Sequence, residues 1–474
     1  MRPDEYAALD AVSLAELVRV GDVTPAELQQ CALAAHEQMR TSVNAVVDVH
    51  PLDDDRLTST GPLAGVPTLV KDLFHGQVGT VCGNGSRLSD GWEVTSTTQI
   101  YDRTIAAGMT PIGRSTTSEF GIMGTTETLA QGITRSPWSP DHMAGGSSGG
   151  AGAAVGSGIV PIALASDGGG SIRIPASSCG VVGLKPSRGR VPWGLRQKEP
   201  LIGWAVQFAV TRTVRDTAVA LDALCGPTAG DVEGLPRPDV SFADAMRTPT
   251  GPLRIAWWAY PWSGHDPDPV IVEATQATAE LLEEMGHHVE AATPRFDWET
   301  DLQAMTDVWA CTNAFTIDAF AEAIGRPVDV DTVEGATLRM VDEGRAVTAT
   351  DLLSAIDVET ALTVIMNEFF SRYDVLLTPT LAATLAPVGD YDPHALTPAR
   401  ETFATWSKWE TFLPVFNTTG QPAISLPLHM APDGLPIGMQ FVGGQGREAL
   451  LLSLAASLEE ALPWRDRHPP AYVT

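Results

Sequence analysis

Two glycine clusters that each carry serine lie close together in the stretch GGSSGGAGAAVGSGIVPIALASDGGGS, which runs from Gly145 to Ser171. Glycine loses more conformational entropy on folding than any other residue, so such clusters indicate close backbone approach or positive φ angles. In the second cluster, Gly168, Gly169 and Gly170 directly precede Ser171. Successive unhindered N–H groups can bind an anion, and a serine hydroxyl beside them would lie where an oxyanion forms. This pattern predicts acyl-transfer chemistry.

Two other interpretations of these clusters remain open at this point. Gly145 to Gly149 fits G-x-S-x-G, the nucleophile elbow of α/β-hydrolases, which requires a strand directly before the serine and a helix after it. The preceding SPWSPDHMA contains two prolines and predicts a loop, whereas a helix is expected from about Gly150. A phosphate-binding turn is the second alternative, although neither GxGxxG nor GxxxxGK[ST] occurs. The histidines have no ligand spacing, so we expect no metal and no cofactor.

A serine nucleophile needs a base, and a lysine kept neutral by burial can act as one. Lys71 ends the apolar run Val66-Pro67-Thr68-Leu69-Val70. This run predicts a strand with Lys71 at its buried end, where burial would lower the pKa of the amine. The alternative is a lysine that extends from a strand end into solvent.

Short apolar segments alternate with helical patterns along the chain, which is typical of the α/β class. We expect one continuous sheet that receives strands from both halves, in a single domain spanning 1–474. Its core would comprise about 60–230 and 371–474, and a mostly helical segment on the substrate side would span about 298–370. The predicted strands are GVPTLV, MTPIG, GIVPIALAS, LRIAWWA, DVLLTP, PAISLPL and GMQFVGG, and the predicted helices include TPAELQQCALAAHEQM, TQIYDRTIAAG, VIVEATQATAELLEEMG and REALLLSLAASLEEAL.

Composition restricts the classes of partner. The 474 residues carry a formal net charge of −28, which repels nucleic-acid phosphates and anionic membranes. The five cysteines are scattered and form no CxxC pair, so a reducing compartment is expected. The N-terminal MRPDEYAALDAV lacks the basic flank and apolar core of a signal peptide, and we therefore expect a cytoplasmic protein.

The block from Gly145 to Pro192 closely resembles the signature of the amidase signature family, serine hydrolases with a Ser, cis-Ser, Lys triad. The segments GVPTLVKDL, TRSPWSP, VTRTVRD, FNTTGQPAISLP and GLPIGMQFVG resemble other blocks of that family in the same order. The resemblance implies the amidase signature fold, a large central mixed β-sheet flanked by α-helices. It also implies an amidase that hydrolyses carbon–nitrogen bonds through a serine acyl-enzyme.

The resemblance assigns roles position by position. Ser171 matches the nucleophile, Ser147 the bridging serine on a cis peptide, and Lys71 the base. One position departs from common family usage, because Gly168 stands where a bulkier residue is frequent, and we expect a looser turn there. The remaining matches are the oxyanion-hole N–H groups of Gly168, Gly169, Gly170 and Ser171, with Ser148 and Asp167 as supporting hydrogen-bond partners.

Substrate choice lies outside the signature. The segment 298–370, with DVWACTNAF, is similar to the same region of the family's cyclic-dimer hydrolases, which places Cys311 near a substrate-pocket position. A buried apolar role is the alternative for Cys311. Thr125 and Thr126, in the loop GIMGTTETLA, are also expected at the pocket. The expected substrates are apolar, aryl or lactam-like small-molecule amides, with carbamates included.

A second function uses the same family fold. The glutaminase component of the tRNA-dependent amidotransferase works inside a complex and delivers ammonia to its partner, whereas a free amidase acts alone with water. The similarity of the segment 298–370 favours the free amidase. A homodimer is an open alternative to a monomer.

Overall fold

The computed structural model describes residues 1–50, 59–194, 199–229, 231 and 234–474. Residues 195–198 and 230, which fall inside the predicted core, lie outside the described residues. The strands, in chain order, are β1 (Val46–Val49), β2 (Pro67–Lys71), β3 (Thr110–Ser115), β4 (Glu127–Thr128), β5 (Gly132–Ile133), β6 (Arg135–Ser136), β7 (Ser139–Met143), β8 (Ile162–Asp167), β9 (Val182–Lys185), β10 (Val206–Thr211), β11 (Arg254–Trp257), β12 (His288–Ala291), β13 (Val375–Pro379), β14 (Ala423–Met430) and β15 (Pro436–Gly443).

Eleven of these strands form one sheet, in the order β1-β3-β2-β8-β10-β9-β14-β15-β13-β11-β12. Strand β2 pairs in parallel with β3 and β8, and β11 pairs in parallel with β12 and β13, while the other pairings are antiparallel. The sheet is therefore mixed and takes strands from both halves of the chain, which confirms the predicted fold class. It extends beyond the predicted core ranges, because β1, β11 and β12 also join it.

Helices cover the sheet and form the segment 298–370. The predicted capping box at Thr24 begins the helix at Pro25, where the Thr24 side chain accepts from the N–H of Glu27. The helices are α1 (Pro3–Ala7), α2 (Ala11–Val20), α3 (Pro25–Val43), α4 (Gln99–Ala106), α5 (Gly149–Gly156), α6 (Arg173–Cys179), α7 (Val214–Leu224), α8 (Phe242–Ala245), α9 (Pro269–Glu284), α10 (Trp298–Ile324), α11 (Gly335–Gly344), α12 (Ala349–Arg372), α13 (Ala399–Glu410), α14 (Val415–Thr418) and α15 (Glu448–Ala461).

The segment predicted to be helical at 298–370 contains α10, α11 and α12. Helix α10 packs against α11, α12 and α13, and its Trp309 ring contacts the ring of Phe403 on α13 edge to face, with 5.7 Å between the centroids. Among the helices of the described residues, none is both long and apolar enough to cross a bilayer.

The stretch before the first glycine cluster differs from the prediction of a loop. Strands β6 and β7 form a short antiparallel hairpin there, because the chain turns at Pro137 and Trp138. This hairpin lies outside the eleven-stranded sheet, so the cluster does not follow a strand of that sheet as a nucleophile elbow would. The helix expected near Gly150 is α5, which begins at Gly149.

Candidate active site

Lys71 is the last residue of β2, a strand that is buried along its whole length between β3 and β8. Its side chain is 0% exposed. Burial lowers the pKa of Lys71 from 10.5 to about 7, although the negative charge of Asp167 acts in the opposite direction. The predicted buried strand end is therefore correct, and the amine can exchange a proton near neutral pH.

The Lys71 Nζ atom contacts two serine hydroxyls. It donates to Ser147 Oγ at 2.7 Å and to Ser166 Oγ at 2.9 Å. Ser147 follows a cis peptide bond from Gly146, and Ser166 lies on β8, the strand next to β2. Lysine and both hydroxyls thus form one buried group at the adjacent ends of β2 and β8.

Strand β8 ends in the second glycine cluster, which turns the chain into α6. The Asp167 carboxylate accepts the N–H groups of Gly170, at 2.8 Å, and of Ile172, at 3.1 Å. Among the residues that the structure describes, no protein acceptor takes the N–H groups of Gly168, Gly169 and Ser171. The Gly170 N–H, expected as an oxyanion donor, is instead engaged with Asp167, and three donors remain free at this turn.

Asp167 itself is held by a buried ion pair. Arg173 donates to both carboxylate oxygens, from Nε at 2.9 Å and from a terminal nitrogen at 2.8 Å. Asn417 adds a hydrogen bond at 3.0 Å and also donates to the Asp167 carbonyl. Burial alone would raise the pKa of Asp167, but the charge and hydrogen bonds of Arg173 lower it below its ordinary value. Asp167 therefore stays ionised and fixes the glycine turn.

The space at Gly168 is filled by Leu201 and, from the helical segment, by Trp309. A Cβ atom at this position would lie 2.8 Å from Leu201 Cδ1 and 3.2 Å from the Trp309 ring. The loose turn expected from the missing side chain is therefore not an open space, because Leu201 and Trp309 occupy the volume that a larger residue would need.

Ser171 lines two cavities. We call the first the Ser147 cavity, because Ser147 and Ser166 line it together with Ser171. We call the second the Glu410 cavity, because Glu410 lies in its wall. Trp309 lines both. A group bound at Ser171 therefore has space on two sides.

Three residues expected at the substrate pocket lie elsewhere. Thr126 Oγ1 donates to the Gly145 carbonyl at 2.9 Å and accepts the Gly149 N–H at 3.1 Å, so it braces the first glycine cluster. Thr125 is buried and donates to Glu127. Cys311 is partly buried and lines neither cavity; α10 instead presents Trp309, Thr312 and Asn313 to the Ser147 cavity.

Ser148, expected as a supporting residue, is fully buried. Its Oγ donates to the Ser166 carbonyl at 3.2 Å and accepts the Ser166 N–H at 3.4 Å. It joins the first glycine cluster to β8 and so positions Ser147 beside Lys71.

Sequence reasoning did not single out four residues of the site: Ser166, Arg173, Glu410 and Asn417. Two of them stand in segments that carry the family resemblance, Arg173 in GGGSIRIP and Asn417 in FNTTGQPAISLP. For Glu410 the sequence holds no signal beyond its position at the end of a helix.

Known proteins resemble this chain along most of its length. The chain matches the family model Amidase over residues 35–452. It is 35% identical over 478 residues to the 6-aminohexanoate-cyclic-dimer hydrolase of Paenarthrobacter ureafaciens, covering 97% of this chain and 96% of that protein. A solved structure of 6-aminohexanoate cyclic dimer hydrolase complexed with substrate matches with a TM-score of 0.94 at 33% identity, covering 98% and 99% of the two chains. A bacterial aryl acylamidase matches with a TM-score of 0.86 at 26% identity, covering 96% of each.

The chain therefore belongs to the amidase signature family. It is an amidase, a hydrolase that acts on the carbon–nitrogen bonds of small-molecule amides.

Proposed function

We propose that Ser171 is the nucleophile of this amidase and that Lys71, acting through Ser147, is its base. The observation that carries the proposal is the 2.7 Å contact between Lys71 Nζ and Ser147 Oγ, formed by a lysine whose pKa is about 7. Ser147 and Ser171 line the same cavity. A neutral amine near the operating pH is suited to general base catalysis.

The proposed reaction has two halves. As Ser171 Oγ attacks the amide carbon, its proton passes to Ser147 Oγ while the Ser147 proton passes to Lys71 Nζ. The tetrahedral intermediate then expels the amine, which receives the proton from Lys71 by the reverse relay, and an ester to Ser171 remains. Water attacks this ester with the same base, so the acid is released and Ser171 is regenerated.

The free N–H groups at the glycine turn support an oxyanion hole. Gly168, Gly169 and Ser171 offer donors beside the Ser171 hydroxyl, in a turn fixed by Asp167 and Arg173. Preorganised donors of this kind stabilise the charge that develops on the carbonyl oxygen. We assign the expected oxyanion role to these three N–H groups, while Gly170 serves the turn.

The two cavities suggest how a substrate is oriented. Ser147 returns the proton to the leaving nitrogen, so the leaving group belongs in the Ser147 cavity. The acyl part then occupies the Glu410 cavity, whose walls include Ile122, Trp298 and Phe403. Apolar and aromatic walls favour apolar, aryl or lactam-like amides and carbamates. The names of the relatives, a cyclic-dimer hydrolase and an aryl acylamidase, agree with this class.

The test is a fluorophosphonate probe on the purified protein, with the modified serine mapped by peptide mass spectrometry. We expect an adduct on Ser171 that is lost in Lys71→Ala. An adduct on Ser147 or Ser148, or an unchanged adduct in Lys71→Ala, would overturn the assignment. Ser157→Ala is the matched control, since Ser157 is buried outside the site and donates to the Ala153 carbonyl.

A turnover panel then identifies the substrate class. Anilides, cyclic amides, aliphatic amides and carbamates are compared with glutamine. We expect hydrolysis of the apolar amides by the protein alone. A preference for glutamine, with copurification of a partner protein, would replace this proposal with the glutaminase of the tRNA-dependent amidotransferase.

We further propose a reducing, cytoplasmic location. All five cysteines are free, including Cys179 and Cys225, which supports this setting. Thiol titration of the protein isolated from its native cell tests this location, and the detection of disulfides would contradict it.

A further inference from the structure

Glu410 is an acid in an otherwise mostly apolar wall beside the nucleophile. It is the last residue of α13 and lines the same cavity as Ser171. Its Oε1 atom is buried, and no group among the described residues donates a hydrogen bond to it. The carboxyl lies so close to Gly124 that a Cβ atom there would come within 1.6 Å of Oε1. The chain thus leaves room for this acid without giving it a partner.

Among the residues that the structure describes, no cation acts on the Glu410 carboxyl. Burial raises the pKa of Glu410 to about 8, and the negative charge of Asp167 acts in the same direction. Ser407, another polar residue of the wall, gives its hydroxyl proton to the Ala404 carbonyl at 2.6 Å. The rings of Trp298, Trp309 and Phe403 line the cavity around the carboxyl. No described protein group therefore donates to Oε1, and a ligand in the cavity can supply that hydrogen bond.

We propose that Glu410 selects amide substrates whose acyl part carries a second nitrogen with an N–H, as an amine or an amide. The inference rests on the proposed function, because the nucleophile at Ser171 and the acyl side of the cavity define where that nitrogen lies.

The selection is expected because a buried hydrogen-bond acceptor that has no donor costs free energy. A site with a buried polar group rejects an analogue that lacks the matching donor more strongly than an apolar wall rejects an extra methylene. A carboxyl group serves both nitrogen classes: ionised, it pairs with an ammonium that the aromatic rings also attract, and protonated, it both donates to and accepts from an amide. In both cases an oxygen of Glu410 accepts the hydrogen bond from the nitrogen of the substrate.

The experiment uses p-nitroanilides in which the leaving group is constant. Their acyl chains, in a series of lengths, end in a primary amine, a primary amide or an isosteric methyl group. At the best length, we expect the wild-type kcat/KM for one of the N–H-ended chains to exceed that of the methyl-ended chain by at least about tenfold. The end group that wins identifies the nitrogen class.

Glu410→Leu removes the acceptor, and we expect the ratio of the two kcat/KM values to fall at least about tenfold. Glu410→Gln keeps one carbonyl oxygen and should retain more of the preference for the amide end than for the amine end. Glu401→Gln is the matched control, because Glu401 lies on the same helix but is exposed. The ratio should be unchanged there. A ratio near one in the wild type would overturn the inference, and so would a ratio in Glu410→Leu equal to that of the wild type.

Binding separates this inference from the proposed mechanism. Calorimetry with Ser171→Ala measures the affinity of the same anilides without turnover. Tighter binding of the N–H-ended chain, lost in Ser171→Ala/Glu410→Leu, supports Glu410 whatever the mechanism, whereas hydrolysis that persists in Ser171→Ala would sink the proposed nucleophile. Turnover of all three chains without discrimination in rate or binding would leave the mechanism standing and remove the role of Glu410.

Discussion

Among the residues that the structure describes, two lysines are completely buried, each as the last residue of a strand of the central sheet. Lys71 ends β2 and Lys185 ends β9. Burial lowers the pKa of both amines below the ordinary lysine value. By burial and by position in the sheet alone, the two would be equal candidates for a catalytic base.

Their neighbours differ. The Lys71 amine contacts two hydroxyls, those of Ser147 and Ser166, and both serines line the cavity that Ser171 also lines. The Lys185 amine donates to the carbonyl of Pro186 at 3.0 Å, and Arg173 is the charge that most affects it after burial. Burial makes a lysine neutral, but a hydroxyl that can pass a proton onward is what makes it useful as a base.

The largest expected effect comes from replacing Lys71. In Lys71→Met, kcat/KM for an apolar anilide should fall by about a thousandfold, within the range for loss of a general base. Steady-state kinetics with folding checked by circular dichroism would measure it. Lys185→Met is the control, and near-normal turnover of Lys71→Met would remove the distinction between the two lysines.

The pH dependence of kcat/KM is the second test of the difference between Lys71 and Lys185. In the proposed mechanism neutral Lys71 is the active form, and since its pKa is about 7, protonation below that pH should remove the base. The rate should therefore decline about tenfold per pH unit on the acidic side. A methyl-ended anilide, which does not titrate, is the substrate to use. A level profile through neutrality would contradict the role of Lys71.

Ser166→Ala tests the second hydroxyl on Lys71. Its oxygen accepts from the charged amine, so its loss should lower the pKa of Lys71 and move the acidic limb to lower pH. We expect a drop in kcat/KM of about tenfold at most, since an ordinary hydrogen bond is lost. The pH profile is the decisive measurement, because a purely structural defect would leave the limb in place, as Ser157→Ala should.

The smallest effect is expected at Lys185. Lys185→Met removes one hydrogen bond to a carbonyl and replaces a buried amine with an apolar chain of similar length. The free energy of unfolding should change by about 1 kcal/mol, and kcat/KM should change less than about threefold. Urea unfolding and kinetics measure the two. A loss comparable to that of Lys71→Met would mean that Lys185 also moves a proton.

The local surroundings of Lys71 and Ser171 are predicted well from the sequence. The apolar run before Lys71 indicates a buried strand end, and the glycines before Ser171 indicate a donor-rich turn, since both are local patterns. Ser166 could not be found in this way, because its contact with Lys71 depends on the register between β2 and β8. Arg173 and Asn417 likewise meet Asp167 only in the folded chain.

Helical phase explains why Cys311 lines neither cavity at Ser171. Residues of an α-helix are rotated by about 100° each, so Cys311 points roughly 200° away from Trp309. Met305, Thr312 and Thr316 lie within roughly 60° of Trp309, and each of them lines a cavity. Residues of the predicted helical segment do line both cavities at Ser171, but which face lines them depends on the phase of the helix. No comparable sequence pattern marks Glu410 as a residue that lines a cavity.

The filled space at Gly168 constrains how relatives of this chain can diverge. A larger residue in the glycine turn would collide with Leu201 and with the ring of Trp309, so it becomes acceptable only when one of these is smaller. A larger residue at 168 combined with a smaller one at 309 would move side-chain volume from the helical segment to the glycine turn. It would also reshape both cavities, because Trp309 lines each of them. Positions 168 and 309 should therefore covary in an alignment, and a change in substrate preference should accompany the change in size.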